Sequence, residues 1–282
     1  MATTWEIRLP GDDPTYARQA AGEAFREVDR LERLLSRFQE GGEVWCVNHL
    51  REGEEFRLSE ETHGCLLRAL RMQEITGGAF HPGLGGVMDR VRSGGDWESE
   101  LAAVARGCLA LDDSLPLVVC VREGFQLDLG AIGKGYALEC VRTLLSDWGF
   151  STMLLNAGGS SLLGAGTAWE IRLHGDAVRP TVFLRDLAVG SSGLSVQGRH
   201  MVDVRTGTRD PRHHRSWAFC RNAADADALS TAAMFMDAAE IASALEALGS
   251  PGAVLLETMD GNRLVKHLQA HPADFAADLG LS

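Results

Sequence analysis

The chain has 282 residues, of which 45% are hydrophobic and 23% charged, and its net charge is −12 at pH 7. This length can bury a core, and the composition is that of a globular protein. Nucleic acid is disfavoured as the main partner, because binding its phosphates needs a basic face. No apolar run reaches the roughly 18 residues of a membrane-spanning helix. No repeat or linker marks a boundary, so we expect a single domain over residues 1–282.

The first nine residues are predicted to begin a strand, and they contain neither the basic nor the apolar region of an export signal. The six cysteines show no CxxC or zinc-ligand spacing, and several occupy apolar positions of predicted elements. Reduced core thiols are therefore the simplest interpretation. Both observations predict a cytoplasmic protein.

Two helices are predicted in the first third of the chain. Asp13 and Pro14 are typical of a helix start, and apolar residues then recur at a 3-4 spacing as far as Phe38, so the predicted helix ends at Gly41. A strand around residues 55–58 precedes the second helix, which begins after Ser59. Residues 77–86 then contain five glycines around Phe80, which is unusual for a connector, although a flexible surface turn has the same composition.

A second glycine-rich stretch lies in the middle of the chain. Residues 117–121 and 125–129 are predicted to pair as a hairpin. Residues 130–135 follow with three glycines, between Asp128 and an amphipathic helix that contains Lys134 in its first turn. Free N–H groups and the positive dipole end of such a helix favour an anion. The spacing matches neither GxGxxG nor a P-loop, and an ordinary strand-to-helix turn would show the same pattern.

The second half of the chain alternates predicted strands with helices. A strand over residues 152–156 leads into a glycine turn at 157–160, which we expect at the same sheet edge as the first turn. Period-two alternation then predicts an antiparallel sheet. Interspersed helices and hairpins favour an α+β fold with a mostly antiparallel sheet. The remaining predicted strands are 169–173, 181–184, 188–191, 216–221 and 252–257, and the helices begin near 224 and 238.

Two sets of residues could carry chemistry. Asp227, Ser230 and Thr231 share one helix face, and this all-oxygen set suits Mg²⁺ better than zinc. The alternative is that Asp225 or Asp227 caps the helix. His200 could accept a proton near neutral pH, but it could equally be a hydrogen-bonded strand residue.

Several short motifs follow one another along the chain. A Met-x-Thr-like strand and a Gly-Ala-Phe loop come first, at residues 1–4 and 78–80. The others are Asp128-Leu129-Gly130-Ala131-Ile132-Gly133-Lys134-Gly135-Tyr136-Ala137, Asn156-Ala157-Gly158-Gly159, Ser192-Gly193, His200-Met201-Val202-Asp203 with Thr206-Gly207, and Ala226-Asp227-Ala228-Leu229-Ser230-Thr231. In this order they resemble the motifs of ApbE-type FAD:protein FMN transferases. Any one of them is weak, but the ordered set is specific and extends over nearly the whole chain.

This resemblance implies an ApbE-like, T-fold-like architecture and a role for each matching residue. Mg²⁺ would be held by Asp227, Thr231, Ser230 and the backbone carbonyl of Ala131. The resemblance implies that His200 is a candidate base. It also implies FAD contacts at Asp128 and Lys134, a flavin pocket lined by Met1, Phe38, Ala79, Phe80 and His81, and a place near the nucleotide for Val202.

The implied reaction is attack by a Thr or Ser hydroxyl of an acceptor flavoprotein on the FMN-side phosphorus of FAD, with release of AMP. Two positions depart from the family pattern: His81 replaces an Asp, and Val204 replaces a Pro. Both bear on nucleotide positioning more than on metal binding. A Mg²⁺-dependent FAD hydrolase and a non-catalytic flavin carrier are the alternatives; the intact Asp227–Thr231 pair and His200 favour catalysis over the carrier.

Overall fold

The computed structural model describes residues 3–104, 109–124, 126–194, 201–260 and 264–268. Within these ranges the chain forms the predicted α+β fold around an antiparallel sheet. The helices are α1 Pro14–Leu35, α2 Glu43–Val47, α3 Glu60–Ile75, α4 Gly85–Ser93, α5 Trp97–Val104, α6 Gly133–Asp147, α7 Ala223–Ala233 and α8 Ala238–Ala247. The strands are β1 Trp5–Arg8, β2 Glu55–Arg57, β3 Leu109–Leu111, β4 Leu117–Cys120, β5 Met153–Ala157, β6 Ser161–Ala165, β7 Trp169–Arg172, β8 Thr181–Leu184, β9 Leu187–Gly193, β10 Arg215–Cys220, β11 Gly252–Glu257 and β12 Leu264–Leu268.

The main sheet has the strand order β1-β5-β6-β9-β10-β11-β12, and its neighbouring strands are antiparallel. Along β10 the side chains alternate between two apolar clusters, since Trp217 and Phe219 face one side and Ala218 and Cys220 the other. The β7–β8 hairpin covers the first side, and α1, α3, α6 and α7 cover the second. A small sheet, β2-β4-β3, lies apart from the main one.

Helix α1 begins as predicted but ends earlier. The Asp13 side chain accepts hydrogen bonds from two N–H groups of the first turn, and Pro14 occupies the first position. The helix ends at Leu35 because Ser36 adopts an extended conformation, with φ −84° and ψ 122°. Phe38 therefore leaves the apolar stripe to which the sequence assigned it, and it is 70% exposed.

The predicted hairpin of residues 117–129 is wrong. Strand β4 pairs with β2 and β3, whereas residues 126–129 form no strand in the part of the chain that the structure describes. The side chain of Asn48 instead bonds the backbone of Leu127, accepting from its N–H at 2.6 Å and donating to its carbonyl at 3.0 Å. A side-chain amide 79 residues away thus replaces the expected strand partner.

Helix α7 is wedged between α6 and the main sheet. Two glycines allow this approach: a Cβ on Gly135 of α6 would lie 2.1 Å from the carbonyl oxygen of Ala223. On the sheet side, a Cβ on Gly190 of β9 would lie 2.4 Å from the carbonyl oxygen of Ala226. Both contacts are to backbone, so neither can be relieved by a side-chain rotation. These two glycines fix the depth at which α7 sits.

The remaining features agree only partly with expectation. The structure adds α2 before Asn48, which was not predicted, and α4 begins at Gly85 inside the glycine-rich loop. The described cysteines are free thiols, and Cys108 lies outside the described residues. None of the helices in the described ranges combines the length and apolar character needed to cross a membrane.

Candidate active site

Two neighbouring cavities lie beside the glycine turn of residues 130–135. The first, which we call the Phe38 cavity, has a volume of about 550 Å³ and is lined by Thr3, Glu32, Leu35, Ser36, Arg37, Phe38, Gln39, Asp128, Leu129, Gly130, Gly133, Lys134, Gly158, Ser160, Ser191 and Gly193. The second, the Phe80 cavity, has about 420 Å³ and is lined by Ala79, Phe80, His81, Leu84, Met88, Arg92, Asp128, Gly130, Ala131, Met201, Val202, Thr231 and Phe235. Both volumes are within the range of small-molecule sites. Asp128 and Gly130 line both, so the cavities meet at the turn.

The turn presents backbone and charge to the Phe38 cavity. Asp128 Oδ1 accepts a hydrogen bond of 2.9 Å from the N–H of Gly130. Helix α6 then begins at Gly133, whose N–H donates to the carbonyl of Leu129, while the N–H of Gly135 donates to Asp227 Oδ2. Its start therefore offers an anion mainly the positive end of the helix dipole. Lys134 brings a positive charge to the same wall. Gly158 of the second glycine turn also lines this cavity, which confirms that the two turns lie together.

The glycine-rich loop of residues 77–86 forms a wall of the Phe80 cavity. The N–H of Asp128 donates to the carbonyl of Pro82 at 2.7 Å, which places the loop against the glycine turn. Phe80 is buried, and its N–H donates to the hydroxyl of Thr76 at 3.1 Å. These hydrogen bonds show that the loop is part of the site and more than a surface connector.

The predicted flavin-pocket residues do not share one cavity. Phe38 lies with Lys134 in the Phe38 cavity, because it follows the end of α1. Ala79, Phe80 and His81 follow α3 and lie on the other side of Asp128 in the Phe80 cavity, together with Val202, Ala131 and Thr231. Met1 and His200 lie outside the described residues, so their assignments stay predictions.

Asp227 is a buried carboxylate that joins α7 to the start of α6. Its Oδ2 accepts a 2.7 Å hydrogen bond from the N–H of Gly135. Burial raises the pKa of Asp227, while the charge of Lys134, a hydrogen bond from Ser161 and the bond from Gly135 act in the opposite direction. Asp227 does not cap its helix. The side chain of Asn222 accepts from the first-turn N–H groups instead, and Asp225 pairs with Arg68.

Three hydroxyl groups meet between α7 and the sheet. Ser192 Oγ of β9 lies 3.0 Å from Ser230 Oγ and 3.1 Å from Thr231 Oγ1. Ser230 and Thr231 also donate to the carbonyl of Asp227, at 2.8 and 3.3 Å. Ser230 and Thr231 of the predicted helix face therefore lie together against Ser192. Ser192 belongs to the Ser-Gly motif, but no spacing in the sequence indicates that it lies against Thr231.

The predicted set of oxygen ligands is compatible with a magnesium ion. In the part of the chain that the structure describes, no group of three or more His, Cys, Asp or Glu side chains is placed to hold a metal. The predicted set contains only one carboxylate, and it would depend on hydroxyl, carbonyl and substrate oxygens, as Mg²⁺ often does. Ala131 and Thr231 both line the Phe80 cavity, whereas the buried Asp227 and Ser230 line neither cavity. Burial raises the pKa of Asp227.

Arg37 connects three parts of the cleft that sequence reasoning did not connect. Its Nε donates to Asp128 Oδ2 at 2.8 Å, and its two terminal nitrogens donate to the carboxylate of Asp89 at 2.8 and 2.7 Å. Its guanidinium carbon also lies 4.1 Å from the ring centroid of Phe38. The Arg37 side chain is only 6% exposed, although Arg37 also lines the Phe38 cavity.

His81 is neutral at physiological pH, in a position where the family pattern has a carboxylate. Its Nδ1 accepts a 3.0 Å hydrogen bond from the N–H of Gly83, so the ring proton is on Nε2. Burial lowers the pKa of His81 to about 4. An Asp can accept from the N–H two residues further on in the same way. The imidazole can thus replace the turn-forming function of the carboxylate without its charge.

This lowered pKa predicts a pH effect on stability. Above pH 6.5 the imidazole is neutral in the native and in the unfolded chain. Below pH 6.5 the unfolded chain binds a proton and the native chain does not, so the free energy of unfolding decreases as the pH is lowered. His81→Asn keeps an acceptor near the position of Nδ1 and removes the titration. Between pH 7.5 and 5.5, urea unfolding should show wild type losing about 1 kcal/mol more than this variant. Equal losses would contradict the lowered pKa.

Val204, the second departure from the family pattern, packs in an apolar cluster with Val87, Val91 and Val202. This cluster joins α4 to the segment that lines the Phe80 cavity. The effect of the substitution on nucleotide positioning stays a prediction.

Comparison with known proteins decides the family. A model of the ApbE family matches residues 1–255, which is most of the chain. The chain belongs to the ApbE family.

Relatives of this ApbE-family chain are distant in sequence and close in fold. A protein of Treponema pallidum (strain Nichols) named FAD:protein FMN transferase is 26% identical over 275 residues, which cover 82% of this chain and 75% of the relative. One of the same name from Klebsiella pneumoniae (strain 342) is 22% identical and covers 73% and 68%. The structure of the flavin transferase ApbE from Vibrio cholerae has a TM-score of 0.80 at 21% identity, with 96% and 94% covered. The similarity to this structure confirms the predicted ApbE-like fold.

Proposed function

We propose that this chain transfers FMN from FAD to a Thr or Ser hydroxyl of an acceptor flavoprotein, with Mg²⁺, and releases AMP. Its membership of the ApbE family and the name FAD:protein FMN transferase shared by its relatives support the activity. The observation that carries the proposal is the pair of cavities that meet at one glycine turn. FAD has the matching form, since two ring systems are joined by a charged pyrophosphate.

The two ring systems are assigned by the residues of each cavity. Phe38 is an exposed aromatic side chain, and its ring offers a stacking surface for the isoalloxazine. The Phe80 cavity has the apolar side chains of Ala79, Phe80 and Val202 and receives the adenine. This assignment separates Phe38 from residues 79–81, as the structure does.

The pyrophosphate would then lie over the shared wall of the cavities. Lys134 supplies positive charge there, and the start of α6 adds the positive end of its helix dipole. Asp227, Thr231 and the carbonyl of Ala131 would hold Mg²⁺, with Ser230 supporting Thr231 through the hydroxyl cluster. When bound, the ion would neutralise phosphate charge and polarise the phosphorus that is attacked.

The chemistry breaks one phosphoanhydride bond and forms one phosphoester bond. The acceptor hydroxyl oxygen attacks the FMN-side phosphorus, the bond to the bridging oxygen breaks, and AMP leaves with that oxygen. The hydroxyl proton must leave the nucleophile, and His200 is the candidate base that the family pattern supplies. Phe38 and Lys134 orient the substrate, which lowers the entropic cost of attack.

A mass measurement tests the proposed function. The wild-type chain is incubated with FAD, Mg²⁺ and a threonine-containing candidate acceptor peptide, and peptide mass and free nucleotides are followed. We expect FMN on the peptide and an equal amount of AMP, and neither product when EDTA removes the metal. Free FMN and AMP with unmodified peptide would show a hydrolase instead. FAD binding without products would show a carrier.

The stacking role of Phe38 gives a separate prediction. Phe38→Ala should weaken FMN binding about tenfold, since an aromatic pair contributes on the order of 1 kcal/mol. Phe38→Tyr keeps the ring and should bind as wild type. Phe25→Ala is a matched control, because Phe25 is also exposed but lines neither cavity. Quenching of flavin fluorescence measures the affinities, and unchanged quenching in Phe38→Ala would refute the assignment.

A further inference from the structure

A buried cation, Arg37, lies in the wall of the Phe38 cavity and is bound by protein carboxylates. Arg37 follows the end of α1, and each of its three guanidinium nitrogens donates to a carboxylate oxygen of Asp89 or Asp128. Two carboxylates therefore balance its charge. With a side chain only 6% exposed, Arg37 is poorly placed to serve as a phosphate ligand. Its contacts suggest that it acts through its neighbours.

The first neighbour is Phe38. The guanidinium carbon lies 4.1 Å from the ring centroid, so one face of the ring rests on a planar cation. Phe38 has left helix α1 and is 70% exposed, so few other contacts restrict its ring. Because Arg37 occupies one face, the opposite face is the one available for a flat ligand. The guanidinium thus fixes the orientation of the stacking surface.

The second neighbour is Asp128, at the point where the cavities meet. Arg37 Nε binds Asp128 Oδ2, while Asp128 Oδ1 accepts from the N–H of Gly130. Each oxygen of this carboxylate is therefore engaged by the protein. Because both of its oxygens are held, Asp128 fixes the glycine turn that contains Ala131 and leads into α6. Arg37 is linked in this way to the place where the pyrophosphate would lie.

Asp89 holds the Arg37 side chain from outside the two cavities. It belongs to α4, it lines neither cavity, and it accepts two parallel hydrogen bonds from Arg37. Burial alone would lower the pKa of Arg37, but the hydrogen bonds and charges of Asp89 and Asp128 more than offset it, so the pKa is raised. The same hydrogen bonds from Arg37 lower the pKa of Asp89. The Arg37–Asp89 pair is therefore charged.

We propose that Arg37 is a positioning residue for the transfer reaction, which holds the Phe38 ring for the flavin and the Asp128 turn for the pyrophosphate. Asp89 is its anchor. This inference rests on the proposed function. The planar guanidinium group of arginine is required for this role, because a lysine cannot bond both carboxylates and stack on the ring at once.

The experiment compares four chains: wild type, Arg37→Lys, Asp89→Asn and Arg33→Met. Arg33 is a control of the same residue type, since it is exposed in the last turn of α1 and lines neither cavity. Thermal unfolding first identifies any variant that fails to fold. FMN and adenosine are then titrated separately, and kcat and KM for FAD are measured in the transfer assay.

Arg37→Lys should weaken FMN binding about tenfold and reduce flavin fluorescence quenching, because the ring is no longer held. Adenosine binding in the Phe80 cavity should change less than twofold. The kcat should also fall about tenfold, because the Asp128 turn is no longer held. Asp89→Asn should give the same pattern at smaller amplitude even though it touches neither cavity. The Arg33→Met control should match wild type in every measurement.

Three results would overturn this assignment. A folded Arg37→Lys chain with wild-type FMN quenching and kcat would show that Arg37 is not a positioning residue, while leaving the proposed function intact. An equal loss of adenosine and FMN binding would show a general structural role. A wild-type chain that binds neither FMN nor FAD would overturn the proposed function together with this inference.

Discussion

Asp227→Asn should abolish nearly all transfer without destabilising the chain. Asn retains the shape and an oxygen that can accept from the N–H of Gly135. It removes the charge and the single carboxylate of the predicted magnesium set, so we expect a loss of transfer on the order of 10³-fold. Because burial raises the pKa of Asp227, removing its charge should leave the melting temperature unchanged or raise it.

The matched control for this substitution is Asp225→Asn, two residues earlier on α7. Asp225 is also buried, but it pairs with Arg68 and is not one of the predicted magnesium ligands. This variant should lose stability, since it leaves Arg68 without its partner, and should keep most of its transfer activity. Transfer by Asp227→Asn within tenfold of wild type, measured at saturating Mg²⁺, would refute the metal assignment.

Gly135→Ala should destabilise the fold by about 3 kcal/mol, the upper part of the range for overpacked cores. The new Cβ would lie 2.1 Å from a backbone oxygen of α7, so the two helices must separate. Separation would also break the bond from the N–H of Gly135 to Asp227, and we therefore expect activity to fall with stability. Urea unfolding and the transfer assay measure the two effects.

Gly22→Ala is the control for this second prediction. Gly22 lies inside α1, and a Cβ there meets no atom within 4 Å. The same chemical change should stabilise this helix by about 0.5 to 1 kcal/mol, because alanine is the better helix former. If Gly135→Ala did not lower the free energy of unfolding, the close packing of α6 on α7 would not be a constraint on the site.

Local signals in the sequence predicted much of the fold. Asp13 and Ser59 mark helix starts that the structure confirms, and their side chains accept first-turn hydrogen bonds. Five of the seven strands of the main sheet (β1, β5, β9, β10 and β11) lie where strands were predicted, whereas β6 and β12 were not predicted. The end of α1 was misplaced because Phe38 continues the 3-4 spacing and no glycine follows until Gly41. Periodicity shows where apolar residues recur, and a helix can end before that recurrence does.

Contacts between residues far apart in the chain could not be predicted from the sequence. Residues 126–129 have the pattern of a strand, but their hydrogen bonds go to Asn48 and to Pro82. The motifs identified most of the described residues that line the two cavities as candidates, because each motif contributes its own segment to the cleft. The division into two cavities and the contacts of Arg37 with Asp89 and Asp128 depend on residues 52 and 91 positions apart, which spacing does not encode.

The most direct test of the account is a crystal structure of the wild-type chain with FAD and Mg²⁺, without acceptor. The account predicts the isoalloxazine against Phe38, the adenine in the Phe80 cavity, and the pyrophosphate over residues 128–134, with the ion between it and Asp227. Binding of FAD within only one cavity, or with its pyrophosphate away from this turn, would contradict it.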